Sequence, residues 1–301
     1  MNLKSNKIIQ FKNIILVFIA AALGASLFPM IKIGYSVFHI NASSIPDILM
    51  FAAFRFLICG FLVCGISLFK KEPLEVPKTK SIINIMWLGI FAIVLHYALT
   101  YIGLSLVDSS KTALLKQSGQ LLYVCFAFLF IKNEKFSPYK LIGGLIGFCG
   151  IIAINANGNN IGFSYADIII LLSSVCTVIS GILSEKIVKK SSPLWITGIS
   201  QLSGGIILLA AAIVMNGKFP IFTLESSLVF LYICTASIFN YTLFYYAQRT
   251  INLSVLYIIQ FSIPLFTRIL SAILLGEDIF KLQYLVAFIF ITTGIVLGNK
   301  H

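Results

Sequence analysis

Lys116 is followed by Gln120 and Tyr123, four and seven positions on, in a stretch otherwise rich in Leu, Phe and Ala. On one helical face these three would present an ammonium, an amide and a phenol, groups suited to a carboxylate or phosphate. An ionisable side chain inside an apolar span costs roughly 2.5–3.5 kcal/mol on insertion scales, so its presence asks for a purpose. Two purposes fit Lys116: gripping a substrate, or reaching along its long stem to the headgroups. His96, with Tyr97 beside it and Thr100 one turn on, reads either as a hydrogen-bonded structural residue or as a proton site titrating near physiological pH. Asn240, Tyr241 and Phe244 cluster in a later apolar run, Gln260 precedes Pro264 by four, and Gln201 lies among Ser200 and Ser203. Amides and aromatics together suit a cavity for a small polar molecule with an apolar body. The alternative is interhelical hydrogen bonding, worth about 0.6 kcal/mol per pair.

Arg55 also stands inside an apolar stretch. Its five donors favour a structural role, tying together backbone carbonyls of neighbouring helices, with gating or substrate contact as the lesser reading. Pro29 and Pro264 lack a backbone N–H and loosen their helices, as hinges or as static kinks. Asp47, Asp108, Glu134, Asp167, Glu277 and Asp278 all fall near the ends of apolar runs, so no carboxylate relay runs through the middle and strict proton coupling is disfavoured. There is no HExxH, GxSxG or GxxxxGK[ST], so no catalytic residue, resident metal, cofactor or ATP hydrolysis is expected. The six cysteines lie scattered in apolar surroundings without a CxxC pair and read as small buried hydrophobes.

The elements that must position these groups follow from composition. Of the 301 residues 59% are hydrophobic and 11% charged, against about 25% charged in soluble domains. Such a chain has too little polar surface to face water, and lipid is its solvent. A span needs roughly 20 apolar residues. Ten spans are expected, beginning near residues 13, 48, 82, 109, 139, 166, 194, 227, 253 and 280. The net charge of +12 raises nucleic acid as a partner, but the lysines sit in short loops, as in cytoplasmic loops of membrane proteins. With the N-terminus inside, fifteen of the 22 Lys and Arg fall on the cytoplasmic side and Lys111, Lys218 and Lys281 on the other. That asymmetry supports both the count and the orientation, with both termini cytoplasmic.

The two halves resemble each other at an offset of about 144 residues: FIKNEKF with Glu134 answers LLGEDIF with Glu277, and Gly150 answers Gly294. Tyr101 before IGLSLVDSS answers Tyr245 before YAQRTINLS, which sets Asp108 opposite Asn252. Five spans is an odd number, so two such repeats lie upside down relative to each other, a common transporter plan with its site at the midplane. The expected fold is therefore an all-α membrane protein of ten transmembrane helices in two inverted five-helix repeats, residues 13–155 and 166–298. Gly143, Gly147 and Gly150 read as close helix packing.

The same stretches resemble the EamA family of the drug/metabolite transporter superfamily. The likeness runs from about Val17 to Asn155 and from Asp167 to Leu297, through ALGASLFPMIKIG, PDILMFAAFRFLICG, YIGLSLVDSSKTALLKQSG and NEKFSPYKLIGGLIGFCGI, then FYYAQRT, QFSIPLF and LLGEDIFKLQY. The resemblance implies ten helices, cytoplasmic termini and a central cavity between the repeats. It also implies export or import of amino acids, metabolites or toxic compounds. Two positions depart from the pattern: Gln120 stands where the first copy usually carries proline, and Val286 or Ala287 where a glycine is expected. The expected activity is secondary transport, as exporter or exchanger, of small polar or amphipathic metabolites such as amino acids across the plasma membrane. The expected partners are that substrate and the bilayer, with no nucleic acid, in a monomer or homodimer. A non-transporting scaffold or receptor, and an integral membrane enzyme, are the competing classes.

Overall fold

The computed structural model describes residues 3–74, 78–130, 138–157, 160–161, 163–251, 253–260, 262–278 and 282–298. Glu134, Asn252 and Lys281 lie outside them. Apolar solvent leaves a backbone only its own hydrogen bonds, and the chain answers with helices. They are α1 (Leu3–Val37), α2 (Ile45–Phe69), α3 (Lys78–Gly89), α4 (His96–Leu106), α5 (Ser109–Leu115), α6 (Ser118–Phe130) and α7 (Pro138–Asn155). The second half follows with α8 (Tyr165–Ile187), α9 (Pro193–Val214), α10 (Leu224–Gln248), α11 (Leu253–Gln260), α12 (Ser262–Leu275) and α13 (Leu282–Gly298). A π-helical turn, Ile90–Leu95, joins α3 to α4, and a two-residue antiparallel ladder, Ala156–Asn157 with Asn160–Ile161, separates the halves.

Among the described residues, seven helices are long and apolar enough to cross a membrane, from Ile14–Val37 through Val255–Leu275. At the expected fourth, fifth and tenth positions stand α5 with α6, α7 and α13, which are shorter or interrupted. Large apolar side chains such as Phe61, Leu68, Ile221 and Ile273 are exposed, while Arg55, Asp167 and Gln201 are buried. That inversion of the soluble pattern is what lipid contact requires.

Local signals set the helix ends. Ser164 and Asp167 form a reciprocal capping box at the start of α8, and Thr223 with Ser226 does the same for α10. Such boxes occupy two otherwise orphaned N–H groups. At the end of α12, Gly276 takes φ +67°. The Gly276 N–H reaches Ala272 O at 3.2 Å and the Glu277 N–H reaches Ser271 O at 3.3 Å. This left-handed stop turns the chain sharply and delivers Glu277 to a neighbouring helix. Its carboxylate accepts from the Ser109 and Ser110 N–H groups at 2.9 and 3.2 Å and from Ser110 Oγ at 2.7 Å. Lys32 approaches it at 4.0 Å.

Two helix pairs meet almost backbone to backbone. On α2 and α9, a Cβ at Gly60 would strike the Leu202 backbone, and one at Gly205 would lie 2.7 Å from Leu57 N. On α7 and α13, a Cβ at Gly150 would lie 2.8 Å from Ala287 O, and one at Gly294 would strike Gly143 O and lie 2.7 Å from Gly147 N. In both pairs position rises on one helix as it falls on the other, so partners run antiparallel. Small residues are the means by which helices associate in lipid, where apolar surface alone gives no preference for protein over tails. α1 lies along α10 and α12, and α4 along α8, leaving a space between these rods.

Candidate functional site

Lys116 sits at a break. α5 ends at Leu115 and α6 begins at Ser118. At the join the Gln117 N–H reaches back only three residues, to Leu114 O at 3.0 Å. The tightened turn directs Lys116 inward rather than along a straight helix. Its Nζ lies 2.9 Å from His96 Nε2 and 3.0 Å from Thr100 Oγ1. His96 Nδ1 lies 3.0 Å from Thr177 Oγ1 on α8. The Thr100 hydroxyl donates to His96 O at 2.7 Å and that of Thr177 to Ser173 O at 3.4 Å. With both hydroxyl protons committed, each oxygen is left to accept. His96 is thereby the Nδ1–H tautomer, donating to Thr177 and accepting from Lys116.

These groups line a cavity of about 160 Å³. Its wall comes from both halves of the chain. Gly24, Phe28, Tyr97, Tyr101, Lys116 and Gln120 stand on the first side, and Ser180, Asn240, Tyr241, Phe244, Tyr257 and Gln260 on the second. The Gln120 amide nitrogen, in the orientation its neighbours satisfy, donates to Lys116 O at 2.9 Å and Gln117 O at 3.2 Å. It thus braces the break that aims Lys116. Tyr241 donates to Ala92 O at 3.3 Å, a carbonyl within the π-helical turn. Such turns loosen the regular ladder and recur at functional sites. Gly24 lies against the Asn240 amide, where a Cβ would come within 3.2 Å of Nδ2. Gly181 makes room for the Tyr257 hydroxyl.

Behind the Tyr97–Tyr101 wall lies Arg55, fully buried. Its Nε donates to Ser237 Oγ at 2.8 Å and its Nη1 to the Tyr101 hydroxyl. The guanidinium carbon sits 4.7 Å from the Phe56 ring centroid and 5.2 Å from that of Tyr97. It bonds side chains on α4 and α10 rather than the backbone carbonyls expected from sequence. Pro29 leaves α1 unbroken. The Ala25 carbonyl that its missing N–H would have served accepts instead from Thr267 Oγ1 on α12, at 3.2 Å. Pro264 is buried in α12.

Of the ten residues expected at a binding site, His96, Tyr97, Lys116, Gln120, Asn240, Tyr241, Phe244 and Gln260 line the cavity. Tyr123 and Gln201 lie outside its lining. Tyr123 packs edge-on against Tyr257, centroids 5.1 Å apart. The i+7 spacing that placed it beside Lys116 assumed an unbroken helix, and the break at Lys116–Gln117 changes the phase. Gln201 is buried in α9, its amide without a hydrogen-bond partner among the described residues. The sequence reading passed over Thr177, although Ser173, Ser174, Thr177, Ser180 and Ser184 form a polar stripe at helical period along α8. That stripe was the available signal.

The model of the EamA-like transporter family matches residues 11–156 and 164–299. An uncharacterized inner membrane transporter of Escherichia coli K12, YedA, is 24% identical over 271 residues, 88% of this chain and 86% of its own length. An uncharacterized transporter of Archaeoglobus fulgidus is 23% identical over 232 residues, 75% of this chain and 79% of its own. A solved crystal structure superposes on 96% of this chain and 96% of its own with a TM-score of 0.64 at 16% identity, a likeness of fold.

Proposed function

The chain belongs to the EamA-like transporter family, and from that premise we propose that it carries small polar or amphipathic metabolites across the plasma membrane by alternating access. The observation that carries the reading is the cavity walled by both halves, with Lys116 and His96 on one side and Asn240 and Gln260 on the other. A cavity shared between two units becomes accessible from either face when the units rock against each other.

The close contacts support the inverted repeat. Adding 145 to Leu57 and Gly60 gives Leu202 and Gly205, and the contacts are Gly60 with Leu202 and Gly205 with Leu57. Adding 144 to Gly143, Gly147 and Gly150 gives Ala287, Ile291 and Gly294, again in reciprocal contact. Reciprocity of this kind is the signature of a two-fold axis. Equivalent helices run antiparallel, so the axis crosses them at a right angle and lies in the membrane plane. In this reading ten helices cross the membrane, both termini face the cytoplasm, and Lys111 and Lys218 face outward.

Reconstituted into proteoliposomes, the protein should exchange a labelled metabolite across the bilayer, and Lys116→Ala should cut that flux at least ten-fold while leaving expression and folding intact. Unchanged flux in that variant would remove Lys116 from the transport site.

A further inference from the structure

We infer that the cavity selects organic anions, a carboxylate on a small apolar or aromatic body, over zwitterions of the same shape. The inference deepens the transporter reading and rests on the same cavity.

The charges carry the argument. Lys116 has three N–H donors. Two go to neutral acceptors, His96 Nε2 and Thr100 Oγ1. Both acceptors pass their own protons away, to Thr177 and to a backbone carbonyl. The third donor has no acceptor among the described residues. Arg55 repeats the pattern one layer back. Its named partners are a serine, a tyrosine and aromatic rings, and its Nη2 is buried without a partner among the described residues. Neither cation takes part in an ion pair among those residues.

Acidic groups stand elsewhere. Among the described residues, no Asp or Glu lines the cavity. Glu277 is held at the start of α5, Asp167 by Lys111 at 2.8 Å, and Glu72 by Ser192 Oγ at 2.7 Å. Glu185, next to Ser184 on α8, lies within electrostatic reach of Tyr257 but contributes nothing to the wall. The Arg55 guanidinium and the Lys116 amine, with neutral neighbours in a poorly polarisable interior, favour an entering negative charge, which in turn favours the protonated amine. An ammonium would lose its water and find neutral amide, phenol and hydroxyl oxygens but no carboxylate among the lining residues described. Tyr97, Tyr241, Phe244, Tyr245 and Tyr257 supply the face on which an apolar body would lie.

Three probes of one shape and different charge test this: 3-phenylpropionate (anion), phenylalanine (zwitterion) and phenethylamine (cation). Each is titrated against the wild-type protein in nanodiscs of zwitterionic lipid, with the thermal midpoint as readout. The expected result is a rising midpoint with 3-phenylpropionate, at least ten-fold weaker binding of phenylalanine and no shift with phenethylamine. In Lys116→Gln the preference for the anion should disappear. Gly65→Ala, whose new Cβ meets nothing within 4 Å, should keep it. Equal or tighter binding of phenylalanine by the wild type, or no shift with any probe, would overturn the inference, and this comparison needs no variant. Anion-selective binding without flux of any anion in proteoliposomes would leave the inference standing and defeat the transporter reading instead.

Discussion

A buried guanidinium with neutral neighbours makes its few hydrogen bonds disproportionately important. Arg55 Nε donates to Ser237 Oγ at 2.8 Å, and that hydroxyl in turn donates to Ile233 O on its own helix. Removing the acceptor leaves a charged donor in a site without water, at a cost of about 1–3 kcal/mol. Ser237→Ala should therefore lower the thermal midpoint of the purified protein, and Ser237→Thr, which keeps the hydroxyl, should restore much of it. If alanine leaves the midpoint unmoved, Arg55 is held by its aromatic neighbours instead. At the same scale the Lys116–His96–Thr177 chain links three helices, α8 among them, through two short contacts. Half of it was readable: Lys116, His96 and Thr100 stand out as polar residues in apolar spans. Thr177 did not, because a threonine bonding its own helix is ordinary and only the partner across the cavity gives it meaning.

Glycines and caps act on whole helices. Gly60 on α2 is pressed on the α9 backbone at Leu202, and Gly205 on α9 on the α2 backbone at Leu57. Gly60→Ala and Gly205→Ala should destabilise by similar amounts, about 1–3 kcal/mol each, as overpacked cores do. Gly65→Ala should stay within ~0.5 kcal/mol of the parent, as surface changes do. Unfolding of the three variants in the same detergent decides the matter, and an effect at one glycine of the pair but not the other would count against the two-fold relation. Glu277 serves α5 as a cap supplied by a distant loop, its carboxylate meeting N–H groups at the positive end of the helix. Glu277→Ala should cost about 0.5–2 kcal/mol. Because the capped helix leads into the Lys116 break, flux should fall further than stability alone accounts for. The check is flux measured well below the variant's own melting temperature.

For the molecule as a whole, the proposed orientation makes a labelling pattern testable. In a cysteine-free background, Lys218→Cys in intact cells should react with a membrane-impermeant maleimide, and Lys71→Cys should react only after permeabilisation. The opposite pattern would reverse the orientation. The residues by themselves determined that this chain lives in lipid, that it is helical and where most helices begin, because hydrophobic run length and short-range capping are local properties. They also carried an offset of about 144 residues between the halves, which the glycine contacts repeat. Three-dimensional packing alone decided the interruption at Lys116–Gln117, the exclusion of Tyr123 and Gln201 from the cavity, and the hold of Arg55 on Tyr101 and Ser237. Each depends on a helix departing from ideal phase, on how a helix is turned within the bundle, or on partners 46 and 182 residues away, and spacing along a single strand of sequence carries none of these.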